Sequence, residues 1–269
     1  MHDLREFLAT LRAEGDLLEI EAEADPRLEI PEIHRRVIEQ GGPALLFRRP
    51  KGSPFPVVTN LFGTAKRIEL AFGRRPLEFV KTAVRASHEL LPPTPGTLWG
   101  FRSFFVEAMK VGTKEVRDAP VTEVVETGPD LTRLPALTQW PEDGGPFLTL
   151  PLVYTEHPEK REHNLGMYRI QIHEARQTGI HWQIGKGGGF HHHVAEAKGE
   201  ALPVTVFLGG PPALIIAAIA PLPEGLPELL LASLLLGKRL PLARVPGHPH
   251  RLVAGAEFAI TGKVPPGVR

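Results

Sequence analysis

Apolar residues recur along this chain at more than one spacing, and each spacing predicts a different element. Near the start, Leu4, Phe7, Leu8 and Leu11 share one face of a helical period, with Asp3 placed to cap the helix and Gly15 to end it. Leu17 to Ile20 reads as a strand, and Ile30 to Gln40 as a second helix with Ile33, Val37 and Ile38 inward. Ala44–Phe47 and Val57–Leu61 are short apolar runs bounded by proline and glycine, the pattern of buried strands. Helical spacing returns over Thr64–Phe72 and Leu77–Leu91. It continues past the proline cluster Leu91-Pro-Pro-Thr-Pro-Gly96 into residues such as Phe104–Met109. This mixture predicts an N-terminal α/β domain over residues 1–118.

From about Val121 the pattern changes to short strands punctuated by proline and glycine. Asp130-Leu-Thr-Arg-Leu-Pro135 and Asp143-Gly-Gly-Pro146 read as turns, and Leu148–Thr155 as a strand. Ile170 and Ile172 alternate with Arg169, Gln171 and His173, and Ile180, Trp182 and Ile184 with His181, Gln183 and Gly185. A hairpin with one polar face is therefore expected, its turn closed at Thr178-Gly179 because glycine tolerates positive φ. The loop Gly185-Lys-Gly-Gly-Gly189 follows, then His191-His-His193, which reads as a solvated helix start running to Lys198. Pro203–Leu208 is expected as a buried strand, Pro212–Ala220 as an apolar element and Leu226–Leu236 as a helix. Leu240–Val245, Arg251–Ala254 and Glu257–Thr261 complete a mainly β barrel or sandwich over residues 119–269. The whole is an α+β chain.

Composition narrows the function. The chain has 269 residues, 42% of them hydrophobic, which supports an ordinary globular core. Lys+Arg 31 against Asp+Glu 31 leaves no net charge, which argues against a nucleic-acid partner held by phosphate neutralisation. There is no cysteine, so disulfides and thiolate chemistry are excluded. The amphipathic start lacks a signal-peptide core and the apolar runs Ala213–Pro221 and Leu226–Gly237 are too short or interrupted to span a bilayer, so a cytoplasmic protein without a transmembrane segment is expected.

The densest chemistry lies between Asn164 and Gly189. A glycine-rich loop with one lysine after a strand can cradle a phosphate on backbone N–H groups, with Lys186 adding charge; a flexible turn has the same composition. Arg169 offers a planar fork that matches a carboxylate, although any single arginine can equally be a solvated surface group. Asn164 and the distant Glu228 supply hard oxygens suited to Mg²⁺ or Mn²⁺, but spacing alone does not pair them, and Glu228 also fits as a helix-start charge.

Taken together, NLGMYR, HWQ-x-GKGG, LGGPPALI, PLPEGLPE and, before the hairpin, DGGPFLT resemble the UbiD-type decarboxylases, which use prenylated flavin mononucleotide. The resemblance runs along most of the chain. It implies an N-terminal α/β domain followed by an FMN-binding split β-barrel, a homo-oligomer, a small carboxylic acid as substrate and a flavin prenyltransferase as cofactor supplier. It implies that Asn164 and Glu228 hold Mn²⁺ (or Mg²⁺) against prenylated FMN, with a monovalent cation as a further ion. Met167, Tyr168 and Arg169, then His181, Trp182 and Gln183, and then Lys186 and Gly187 match the family's cofactor-contacting positions. Arg169 and Glu257 match the arginine and first glutamate of its catalytic Glu-Arg-Glu network.

The resemblance has gaps. Gly185 stands where many relatives have a histidine, and Thr261 where the network has its second glutamate. The family's E-G-P-[FY]-G-[DE] segment, whose acid is the proton donor, and its C-terminal α/β domain would lie beyond Arg269, so a fragment or short form is expected. Losing a positioned acid costs roughly 10²–10⁴-fold in rate. The expected activity is non-oxidative decarboxylation of an aromatic or α,β-unsaturated acid, a quinone precursor being one such acid. A silent cofactor-binding short form and a flavin oxidoreductase on a split barrel are the competing readings.

Overall fold

The computed structural model describes residues 1–73, 81–82, 95–100, 102, 106, 110–182, 187–222 and 227–268. Helix α1 (Leu4–Ala13) starts where Asp3, in extended conformation, accepts a hydrogen bond from the Glu6 amide at 2.8 Å. It buries Phe7 and Leu11, four residues apart on one face, and Gly15 ends it at φ 67°. Strand β1 (Leu17–Ala24) pairs in parallel with β2 (Ala44–Pro50), so a crossover is required, and α2 (Glu29–Glu39) supplies it. Strand β3 (Val57–Thr59) adds antiparallel to β2, and α3 (Ala65–Phe72) follows, capped by Thr64. The expected Leu77–Leu91 and Phe104–Met109 helices lie largely outside the described residues, although residues 81–82 and 106 are helical, as is α4 (Pro95–Gly100).

Three sheets build the second region. Strands β6 (Leu152–Glu156), β7 (His163–Met167), β10 (Leu202–Leu208) and β13 (Phe258–Val264) form an antiparallel sheet in the order β13-β10-β6-β7, which leaves β7 at an edge. Strands β5 (Phe147–Leu148), β8 (Ile170–Glu174) and β9 (Gln177–Ile180) form the second. Strands β4 (Thr113–Val116), β11 (Leu240–Ala243) and β12 (Leu252–Val253) form the third, β4 and β11 running parallel. Period-2 alternation sends Leu152 into one core, with Leu165 and Phe207, and Val153 into another, with Tyr168 and Ile170. The first core is closed by α6 (Pro212–Ile219) and α7 (Glu228–Leu236). Among the described residues no helix is long and apolar enough to cross a membrane. The architecture is the mixed α+β one expected.

Several local expectations change. The strand expected over Leu148–Thr155 is two strands, β5 and β6, because Pro151 has no N–H to give a ladder. Between β7 and β8 the chain leaves one sheet and enters another, at Tyr168-Arg169. The β8–β9 turn is Ala175-Arg176, not Thr178-Gly179: Glu174 pairs with Gln177, and Gly179 sits opposite Gln171 inside the ladder. A Cβ at Gly179 would lie 2.7 Å from His173 Nε2, so this glycine serves a close cross-strand approach. The glycine run does not form a loop from end to end, since Gly187 to Gly189 open helix α5 (Gly187–Ala197). His191, expected to be solvated, is buried and shares a 2.9 Å hydrogen bond with Thr155 Oγ1 on β6.

Candidate functional site

The sheet change at Tyr168-Arg169 brings two environments together. On one side lies an open cleft of about 2360 Å³, whose lining includes Met167, Tyr168, Arg169, His181, Glu257 and Thr261. On the other lies a buried polar cluster. Tyr168, 6% exposed, accepts hydrogen bonds on its hydroxyl from the Gly188 amide at 3.2 Å and from Asn164 Nδ2 at 3.4 Å. Its ring meets Trp182 edge-on, with centroids 5.0 Å apart. The start of α5 approaches so closely that a Cβ at Gly187 would stand 2.3 Å from Asn164 Oδ1, and one at Gly188 2.5 Å from the Trp182 ring. Only glycine gives the helix this seat.

Glu228 belongs to the same neighbourhood. It opens α7, and its carboxyl lies beside the backbone N–H of Leu165, the residue after Asn164 on the edge strand β7. Burial pushes its pKa up, against the milder pull of the adjacent backbone amides, and its Oε2 is buried with no hydrogen-bond partner. Trp182 Nε1, His163 Nε2 and His192 Nε2 are buried without partners too, and the His192 ring stacks on Trp182. A buried carboxylate oxygen left unsatisfied is costly, and a cation beside it removes the cost. Among the described residues no group of three or more His, Asp or Glu is placed to hold a metal. Asn164 on β7 and Glu228 at the start of α7 are thus brought to one edge of the sheet, through Leu165. Gln183 and Lys186, together with Gly185, lie outside the described residues.

In the cleft the two expected catalytic residues are bonded to others rather than to each other. Arg169 Nη1 and Nη2 grip Asp143 at 3.1 and 2.8 Å, Nη2 reaches Gln139 Oε1 at 3.5 Å, and the guanidinium lies 3.6 Å above the Phe147 ring centre. Glu257 is held in a fork by Arg5 of α1, at 3.0 Å to Nε and 2.9 Å to Nη2. Neither Asp143 nor Arg5 was expected from the sequence as a site residue. Asp143 sat in a stretch whose glycines and proline signal only a turn, and Arg5 on the polar face of a charged helix.

Comparisons with known proteins bear on the family of the chain. Residues 8–87 match the 3-octaprenyl-4-hydroxybenzoate carboxy-lyase N-terminal domain, and residues 113–269 match its Rift-related domain. The chain is 46% identical over 271 residues to a 4-hydroxybenzoate decarboxylase component of Chlamydia pneumoniae, covering 100% of this chain and 46% of that one. It is 48% identical over 275 residues to an uncharacterized protein of Chlamydia trachomatis, again covering 100% of this chain and 46% of the relative. It thus spans about half the length of the curated relatives it matches. Among solved structures, the UbiD-class enzyme HmfF of Pelotomaculum thermopropionicum with FMN superposes at TM-score 0.81 and 28% identity, over 100% of this chain and 56% of HmfF. An evolved dimeric form of the same enzyme with prFMN gives 0.77 and 29%, over 100% and 58%. With the Rift-related domain alone matching more than half of its length, the chain belongs to the UbiD family of carboxy-lyases.

Proposed function

We propose that this chain is the cofactor- and carboxylate-binding part of a decarboxylase that removes CO₂ from an aromatic or α,β-unsaturated acid without net oxidation. The observation that carries the reading is the position of Tyr168: its hydroxyl organises the buried Asn164–Gly188 cluster, and the next residue, Arg169, faces the cleft. Asn164 and Glu228 would hold Mn²⁺ or Mg²⁺, whose hard-oxygen preference they match. Met167, Tyr168, His181, Trp182, Gln183, Lys186 and Gly187 would contact prenylated FMN in a split-barrel setting, with a monovalent cation as a further ion. Bound there, prenylated FMN supplies the electron sink that loss of CO₂ from an sp² carbon requires and that side chains do not offer.

Arg169 would orient the substrate carboxylate, and Glu257 would tune Arg169 or relay a proton to the carbon. An aromatic substrate is favoured by the name of the Chlamydia pneumoniae relative, a 4-hydroxybenzoate decarboxylase. A flavin prenyltransferase would load the cofactor in the cytoplasm, and the working protein would be a homo-oligomer. A second reading, a cofactor-holding form without turnover, draws on the bonding of Arg169 to Asp143 and of Glu257 to Arg5.

The test is coexpression with a flavin prenyltransferase in Mn²⁺-supplemented cells. Retained prenylated flavin, read by absorbance and mass spectrometry, together with CO₂ release from 4-hydroxybenzoate, supports the first reading. Retained flavin without CO₂ release from a panel of aromatic acids supports the second. A chain that retains no flavin overturns both.

A further inference from the structure

Arg169 is gripped more elaborately than a solvated cation needs, and the group that grips it is more buried than the arginine itself. Asp143 is 10% exposed at its side chain, against 38% for Arg169. Its Oδ2 accepts from the backbone amides of Gln139 at 3.0 Å and Trp140 at 3.2 Å as well as from Arg169 Nη2. Chiefly the Arg169 hydrogen bond, aided by these two amides, holds its carboxyl below the usual carboxylate range. The following residues are pinned too, because Gln171 on β8 donates to the Gly144 carbonyl, and a Cβ at Gly144 or Gly145 would press on the Gln171 amide at 3.2 or 3.0 Å. The carboxylate is therefore fixed to the framework before the arginine arrives.

The arginine's bonds are one-sided. Asp143 spans Nη1 and Nη2, Phe147 supports one face, and the 3.5 Å contact to Gln139 is at the limit of a hydrogen bond. Nε itself takes none of these bonds, the Gln139 contact beside it from Nη2 is the long one, and Arg169 belongs to the cleft wall. A guanidinium has five N–H donors, so one carboxylate on its outer fork leaves an edge for a second.

We infer that Asp143 is a positioning residue: it clamps the outer fork of Arg169 on Phe147 and so presents the Nε edge to the substrate carboxylate. The inference rests on the reading of Arg169 as the carboxylate-binding group. An arginine already held gives up less freedom when a ligand arrives, so affinity is set partly by the clamp.

The test measures benzoate binding to the flavin-loaded chain by calorimetry. Asp143→Asn keeps the shape and can still accept from the Gln139 and Trp140 amides, but it loses the charge that clamps the fork. It is expected to bind benzoate about tenfold more weakly, with a thermal midpoint lowered by only a few degrees. In an Arg169→Met background the same change is expected to cost nothing further, a non-additivity that a general loss of structure would not produce. If Asp143→Asn does not fold, Phe147→Leu, which removes only the supporting ring, is expected to weaken binding about threefold. Unchanged or tighter benzoate binding in Asp143→Asn overturns the inference, tighter binding marking Asp143 as a competitor for the fork. Unchanged binding in Arg169→Met overturns instead the assignment of Arg169 on which the inference rests.

Discussion

Arg67 and Arg169 make nearly the same bond, each to an aspartate at 2.9 or 2.8 Å, but with the roles of the partners exchanged. Arg67, in the N-terminal region, is 1% exposed and Asp16 is 18% exposed. In the cleft the acid is the buried partner and the arginine is 38% exposed. Arg67 Nη1 also bonds the Gly42 carbonyl, and a side chain at Gly63 would collide with both Asn60 and Arg67. The first pair lies inside a core, where Arg67 Nε and Nη2 are buried without partners, whereas the second fixes an acid and sets its cation in the wall of an open volume. The buried member of such a pair anchors it, and the exposed member is the one that can take another partner.

Arg67→Met attacks the core pair. It leaves Asp16 without its cation and is expected to cost about 3 kcal/mol, near the low end for breaking a buried pair because Asp16 keeps some water. Urea unfolding measures it, and a loss below about 1 kcal/mol would erase the contrast. Arg169→Met attacks the cleft pair and should do the reverse. Carboxylate turnover is expected to fall about 10²-fold, and stability by about 1–2 kcal/mol, less than for Arg67→Met because Asp143 keeps the Gln139 and Trp140 amides. A variant equally impaired in both would make Arg169 another core residue.

Gly188→Ala probes the buried side of Tyr168. Its Cβ would lie 2.5 Å from the Trp182 ring, so the ring or the helix must shift, at a cost of about 1–3 kcal/mol. Flavin retention should fall more than the loss of stability alone accounts for. The smallest effect concerns pH. Burial, reinforced by repulsion from His157, lowers the His191 pKa from 6.5 to about 4. The unfolded chain therefore binds a proton that the folded chain refuses between those two values, and stability falls as the pH drops through that window. Over the upper part of that window, down to about pH 5, the expected loss is on the order of 1–2 kcal/mol, and His191→Gln should remove that part of the slope. His163 and His250, also lowered by burial, keep the remainder.

What could be read beforehand follows from how local each cause is. Helix α1 was legible because its cap, its apolar face and its terminating glycine lie within a few residues of one another. The jump between sheets at Tyr168-Arg169 was not, because alternation looks the same whether or not the partner strand changes. Three glycines at the start of α5 oppose helix propensity, and Asn164 and Trp182, close in space, explain two of them, Gly187 and Gly188. Side-chain chemistry could single out Asn164, Arg169 and Glu228, but their joint role entered through the family resemblance, since no periodicity links residues so far apart. Asp143 and Arg5 carried local signals that pointed elsewhere, to a turn and to a wet helix face.

Asn164 and Glu228 sharing one ion at the edge of β7 is the arrangement on which the proposed chemistry stands. Mn²⁺ titrated into the flavin-loaded chain and followed by electron paramagnetic resonance is expected to fill one tight site. Asn164→Ala and Glu228→Gln should each abolish that same site. Wild-type Mn²⁺ affinity in either variant would mean that the two side chains do not meet at an ion.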